Sequence, residues 1–148
     1  MRKAVSGQRG RRGNAALEFA LSFTILWMLL CGVFQLGYAT HVYASLAAAV
    51  AEGAHYASRV DFDEPGHSFV GNVKNMTVYG NPTGTGSPLA PGLSTGMVNV
   101  TWTTDAAGVP QTLSVSISSY TVHAIKNYTY TNKPLVTVKF VGAYKTPG

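Results

Sequence analysis

Hydrophobic and polar positions divide the chain into three regimes. From Phe19 to Thr40 run 22 mostly apolar residues without a formal charge. A bilayer core takes about 20 such residues as a helix, and in lipid a helix satisfies its own backbone. A membrane-spanning helix is therefore expected here. Beyond Thr40 the pattern turns periodic. Tyr43, Leu46, Ala47, Val50, Ala54 and Ala57 recur at helical spacing, while Ser45, Glu52, His55 and Arg59 fall on the other side. The same helix is expected to continue to Ser58. From Asn14 to Ser58 is 45 residues, about 68 Å at the helical rise, far more than a bilayer needs. The outer half must pack against the chain's own sheet on one side. On the other, its small residues allow neighbouring helices to approach closely.

After Ser58 the period changes to two. Asp61-Phe-Asp-Glu-Pro65-Gly66 ends the helix as a solvated turn. Ser68–Lys74 reads equally as a short helix or an irregular strand, and Met76–Tyr79 reads as a strand. Gly80–Gly96, rich in Gly, Pro, Ser and Thr, is a loop. Met97–Thr103 and Thr112–Val122 alternate, with Val98, Val100 and Trp102 on one face and Leu113, Val115 and Ile117 on another. Asp105-Ala-Ala-Gly108 joins them as a hairpin. Asn127–Tyr130 and Leu135–Tyr144 supply further strands, separated by Asn132-Lys-Pro134. The expected fold is α+β: a long N-terminal transmembrane helix packed on a small antiparallel sheet of three or four strands. Its divisions are a basic leader at 1–13, the helix at 14–58 with its first half in the membrane, and an exported strand-rich domain at 59–148.

Charge adds topology to this picture. Arg2, Lys3, Arg9, Arg11 and Arg12 precede the apolar run with no acid among them, so the N-terminus is expected in the cytoplasm and the C-terminal part outside it. A cleaved secretory signal would share the basic start, but its apolar core is only about 7–15 residues. The net charge of +5 is concentrated in that leader; without residues 1–13, six basic and six acidic side chains remain. The basicity therefore reports membrane orientation, and nothing points to a nucleic-acid partner. Cys31, the one cysteine, lies in the apolar run, so an intrachain disulfide is excluded and a packing role is expected.

Candidate chemistry is sparse. His41 and His55 lie about 21 Å apart along the helix and cannot share a metal. No cysteine–histidine ligand set exists, and the acidic turn at 61–66 lacks the glycine and distal glutamate of a calcium loop. Gly92-Leu-Ser94-Thr-Gly96 formally matches a hydrolase nucleophile elbow, which requires a strand before it and a helix after it. Here a proline-containing loop precedes it and a strand is expected to follow. Neither a catalytic residue, a metal nor a cofactor is expected. Asn75, Asn99 and Asn127 each begin an Asn-x-Thr triplet, incidental in a bacterial protein.

One feature of the apolar segment needs its own explanation. Glu18 places a carboxylate at the edge of a membrane helix, where such a group is costly and usually paired. A lone glutamate could snorkel to the interface, helped by the helix dipole. That does not account for the pattern Gly13-Asn-Ala-Ala-Leu-Glu18-Phe19, which resembles a type IV prepilin cleavage site. The resemblance implies that a membrane aspartyl peptidase cuts between Gly13 and Asn14, leaving Glu18 fifth in the mature chain. Gly32-Val-Phe-Gln-Leu-Gly37, Tyr43 and Ala49-Val-Ala-Glu52-Gly53-Ala54-His-Tyr-Ala57 extend the likeness to the TadE-like pseudopilins of the tight-adherence system. Ala51 and His55 stand where that family often carries arginines.

The resemblance implies a pilin-like fold and several roles. Glu18 and Phe19 would serve recognition and assembly, and Gly32, Gly37, Glu52, Gly53 and Ala54 helix packing. Implied partners are a prepilin peptidase, other pilins or pseudopilins, the inner-membrane assembly platform and the lipid bilayer. The expected place is the bacterial inner membrane, in a single pass, with the C-terminal domain periplasmic or extracellular and incorporation in a surface pilus open. The expected function is a minor pilin or pseudopilin of a tight-adherence (Tad/Flp-type) pilus or related secretion apparatus. Two other classes compete: a single-pass anchored protein whose exported domain binds a partner or ligand alone, and a secreted hydrolase using Ser94.

Overall fold

The computed structural model describes residues 9–63, 68–124 and 127–144. Helix α1 runs Arg9–Arg59 and α2 Ser68–Tyr79. Strands β1 (Val98–Thr104), β2 (Pro110–Ile117), β3 (Ser119–Val122), β4 (Tyr128–Thr131) and β5 (Leu135–Lys139) follow. The fold is α+β, with a long apolar N-terminal helix and a small antiparallel sheet. Residues up to Gly37 and residues from Tyr38 onward form two compact units. The backbone of residues 9–13 is already helical, as arginine, a good helix former, permits at the start of a long apolar run. Glu64, Pro65, Gly66 and His67, from the expected acidic turn, lie outside the described residues, as does most of the leader.

From Tyr38 onward α1 buries one stripe. Val42, Leu46, Ala49, Val50, Ala54 and Ala57 are at most 2% exposed and join one hydrophobic core with α2 and the sheet. Tyr43, expected in the stripe, sits at its margin and packs its ring, tilted, against Tyr130 with centroids 5.1 Å apart. His41, Ala44, Ala48, Glu52, His55 and Arg59 face outward.

Two local expectations are corrected. Met76–Tyr79 is not a strand but the last turn of α2. Its β-branched and aromatic residues follow strand propensity, but Phe69, Val73, Thr77 and Val78 make a buried helical stripe. The Thr77 hydroxyl is satisfied within the helix by the Val73 carbonyl at 2.8 Å. Thr112–Val122 is not one strand. It breaks at Ser118, whose NH and hydroxyl both donate to the Met97 carbonyl, at 2.8 and 3.0 Å. Before the break the chain belongs to a three-stranded antiparallel sheet of order β1-β2-β5; after it, to a two-stranded sheet β3-β4.

In the larger sheet Val98, Val100 and Trp102 pair with Ile117, Val115 and Leu113, and the last two with Val136 and Val138. These apolar pairs share one face, and a Ser114–Thr137 hydroxyl bond of 2.7 Å marks the other. The C-terminal segment then returns to the end of α1. Val141 NH donates to the Ser58 carbonyl and Phe62 NH to the Ala143 carbonyl, both at 2.9 Å.

Tyr120 of β3 is buried, and its hydroxyl donates to the Pro91 carbonyl, tying the 80–96 loop to the small sheet. Burial pushes its pKa above 10.0, and the neighbouring Tyr38 adds to the rise. A raised folded-state value favours the neutral phenol, so this stabilisation is complete below pH 10 and declines as the pH rises through the folded-state value. Tyr120→Phe should cost about 1 kcal/mol at neutral pH. It should also flatten the loss of stability above pH 10.0, which unfolding curves between neutral and alkaline pH will reveal.

Candidate membrane and assembly segment

The segment of interest is the half of α1 before Tyr38. Its composition makes it helical anywhere and stable nowhere in water. Thirteen large apolar side chains between Leu17 and Leu36 are 45–71% exposed. Fully burying such a side chain is worth roughly 1.5–3 kcal/mol, so even half that amount for each sums to on the order of 10–20 kcal/mol. That matches or exceeds the whole stability of an ordinary domain, about 5–15 kcal/mol. The surface must be covered by lipid or by protein. Its most apolar stretch has a mean hydropathy of 2.0 and no residue buried against the rest of the chain.

Polar groups on this half are few. Thr24 donates its hydroxyl to the Ala20 carbonyl at 2.8 Å, so it presents no unsatisfied donor to lipid. Phe19, Phe23 and Trp27 lie one turn apart in a stacked ladder, with centroids 6.0 and 6.1 Å apart. Glu18 is exposed beside this ladder and is the only formally charged residue from Asn14 to Ala51. Gly13 and Asn14 lie within the helical backbone, one turn before Glu18. Gly32 and Gly37 are open notches: a Cβ at either would meet nothing within 4 Å. Cys31 is half-buried and free.

The second group of sequence-selected residues is split by the fold. Gly53 and Ala54 are buried, whereas Glu52 is exposed. Glu52 lines a groove of about 420 Å³ with His55, Tyr56, Arg59, Val60 and Met76. At Gly53, α2 lies close against α1. A Cβ there would collide with the Thr77 hydroxyl and stand 3.0 Å from its Cβ and 3.3 Å from its Cα. Sequence reasoning missed Thr77 because it read that stretch as a strand.

Gly53→Ala therefore tests two opposed effects. Alanine is better than glycine in a helix by about 1 kcal/mol; overpacking a tight contact costs about 1–3 kcal/mol. Because the Thr77 hydroxyl and Cβ lie in the way, overpacking should win and Gly53→Ala should destabilise by about 1 kcal/mol. Thr77→Ala in the same chain should restore part of the loss, measured as a double-mutant cycle of unfolding free energies.

Ser94 is exposed and precedes a short 3-10 turn, Thr95–Met97, that leads directly into β1. The strand-then-helix setting of a nucleophile elbow does not exist there. Among the described residues no three His, Cys, Asp or Glu side chains are grouped as metal ligands.

These features fit a membrane-anchored protein: among the described residues one helix, near the N-terminus, is long and apolar enough to cross a bilayer, and an α+β body follows it. Residues 13–55 match the model of the TadE-like protein family, so this segment is TadE-like. No curated protein and no solved structure matches the chain.

Proposed function

We propose that the chain is a minor pilin or pseudopilin of a tight-adherence pilus or related secretion apparatus. A prepilin peptidase removes the basic leader after Gly13, and the mature subunit assembles through the first half of α1. One observation carries the reading: an apolar helix half, exposed along its length, whose lone charge is Glu18 near its inner end. Lipid covers that surface before assembly, and sibling helices cover it afterwards.

Cleavage creates a protonated amine on Asn14. The Glu18 carboxylate of one subunit then pairs with the Asn14 amine of a neighbour. In a low-dielectric setting such a pair fixes register more than it adds net stability. The leader arginines hold the N-terminus in the cytoplasm, which places the body beyond Tyr38 on the other side. The size of that body favours a minor over a major subunit.

The test is N-terminal sequencing after co-expression with an active prepilin peptidase. The expected mature start is Asn14, and Gly13→Leu should block the cut. An intact Met1, in cells whose peptidase processes a control prepilin, would favour an anchored binding protein that acts alone.

A further inference from the structure

A third strand accompanies β2 but not β3. β5 pairs with β2 and β4 with β3, so these four strands run as one antiparallel ribbon that breaks at Ser118. β1 lies on the other side of β2 from β5, with Val98 opposite Ile117 and Thr104 opposite Pro110. Among the described residues nothing continues that position alongside β3, whose sheet has the order β3-β4. The chain before β1 leaves the line at once. Met97 NH closes a turn onto the Ser94 carbonyl, and Leu93 NH closes another onto the Ala90 carbonyl.

The backbone of β3 is therefore half used. Asn132 NH donates to the Ser118 carbonyl at 3.1 Å, in the register of the β3-β4 pair, where Ser119 stands opposite Thr131. Along an antiparallel strand, successive residues turn their backbone groups alternately toward the partner and away from it. The NH and carbonyl of Tyr120 and Val122 thus face β4, and those of Ser119 and Thr121 face the opposite side. Among the described residues no backbone group answers Ser119 or Thr121 there.

That free edge borders a cleft. Two adjoining cavities, of about 310 and 260 Å³, are lined in succession by residues 119–123. Pro91 and Gly92 line both as well, joined by Met97 in one cavity and Tyr38 in the other. The Tyr120 hydroxyl donates to the Pro91 carbonyl. Loop and strand are thus joined through a side chain, and not by a backbone ladder, whose spacing is about 4.8 Å.

The chemistry of the cleft defines its occupant. Unpaired NH and carbonyl groups along a strand edge are complementary in partial charge to another extended backbone. Walls on two sides admit a single strand and not the edge of a second sheet. No Asp, Glu, Lys or Arg lines either cavity, so nothing there would compensate a buried charge.

We propose that the cleft beside β3 accepts one extended, uncharged peptide segment of a partner protein. The segment pairs with the backbone of Ser119 and Thr121 and supplies along β3 the third strand that β1 supplies along β2. The site lies within the compact unit from Tyr38 onward and depends neither on cleavage after Gly13 nor on filament assembly.

The test uses the full chain in lipid nanodiscs. Its probe is a dye-labelled, capped copy of β1, Val98-Asn-Val-Thr-Trp-Thr-Thr104, the neutral strand that already fills the equivalent position along β2. Fluorescence anisotropy should show saturable binding below about 1 mM. Thr121→Pro removes the edge NH but no bond to β4, and proline is tolerated where an edge NH points away from its sheet. It should weaken binding at least about fivefold. Thr121→Val keeps the NH and should stay within about twofold of wild type. In the wild-type chain the peptide should slow amide exchange at Ser119 and Thr121 at least about tenfold, while Tyr130 stays protected throughout. Absence of saturable binding, or unchanged exchange at 119 and 121, would overturn the proposal. Equal binding by the proline and valine variants would overturn it too, because the edge NH would then have no part. Slow exchange at 119 and 121 without peptide, lost on dilution of the chain in lipid, would assign the cleft to a second copy and also overturn it.

Discussion

Glu18→Leu is expected to leave the protein in the membrane fraction and to remove it from pilus assemblies. Insertion should not suffer, because the substitution replaces the only formal charge between Asn14 and Ala51 with an apolar side chain. Polar and charged residues raise the cost of a membrane helix, and leucine lowers it. Assembly is a different matter. If a neighbour's Asn14 amine is seated against Glu18, the variant leaves that cation without a partner in an apolar setting. Removing one member of a buried pair costs about 3–5 kcal/mol, which corresponds to a loss of association of more than about a hundredfold. Glu18→Gln keeps the size and one hydrogen-bonding oxygen but not the charge, and should fall between the two. The measurement is membrane fractionation alongside cross-linked recovery with other pilus subunits. Asn14 and Glu18 are also one turn apart within a single α1, so an intrachain pair would compete. Wild-type recovery of Glu18→Leu would mean that the pair closes within one chain or does not form.

The parts of this protein legible without coordinates are those where one strong physical demand acts alone. Phe19–Thr40 has no charge and admits no structure but a helix in lipid; the structure has that helix, and the TadE-like match begins at Gly13 and ends at His55. The β1-β2 hairpin was equally plain, since alternation of Val98, Val100 and Trp102 answers that of Leu113, Val115 and Ile117 across the turn.

The parts that were not legible are those where two demands compete. Met76-Thr-Val-Tyr79 has strand propensity, yet α1 offers a glycine at position 53, and a helix can pack there at close range. The close approach is a property of two segments at once, and neither reveals it alone. The break at Ser118 did leave a trace. Leu113, Val115 and Ile117 occupy odd positions, whereas Tyr120 and Val122 occupy even ones. A change of parity turns every later side chain to the other face, so an unbroken strand could not have buried both sets. The Tyr120–Pro91 bond joins residues 29 apart and carried no local signal.

The same dependence on distant partners makes Phe62 a sensitive position in the body. It is 2% exposed and meets Phe69 of α2 at 4.8 Å, Trp102 of β1 at 5.4 Å, Phe140 at 6.1 Å and Tyr144 at 6.2 Å. One ring thus ties the end of α1 to α2, the sheet edge and the C-terminal segment. Phe62→Ala should cost about 3–5 kcal/mol, because four tethered elements cannot collapse fully onto the void. For a body of this size that corresponds to a fall in melting temperature of about 15–30 °C. Near-ultraviolet dichroism and Trp102 emission, recorded in lipid, should show the loss directly. The span should keep its helicity, since residues up to Gly37 form a separate unit that contributes nothing to this core. Phe62→Leu, which keeps most of the volume, should cost about 1 kcal/mol. A fall of under about 1 kcal/mol for Phe62→Ala would mean that the C-terminal segment is held by its backbone bonds to Ser58 and Phe62 rather than by the aromatic cluster.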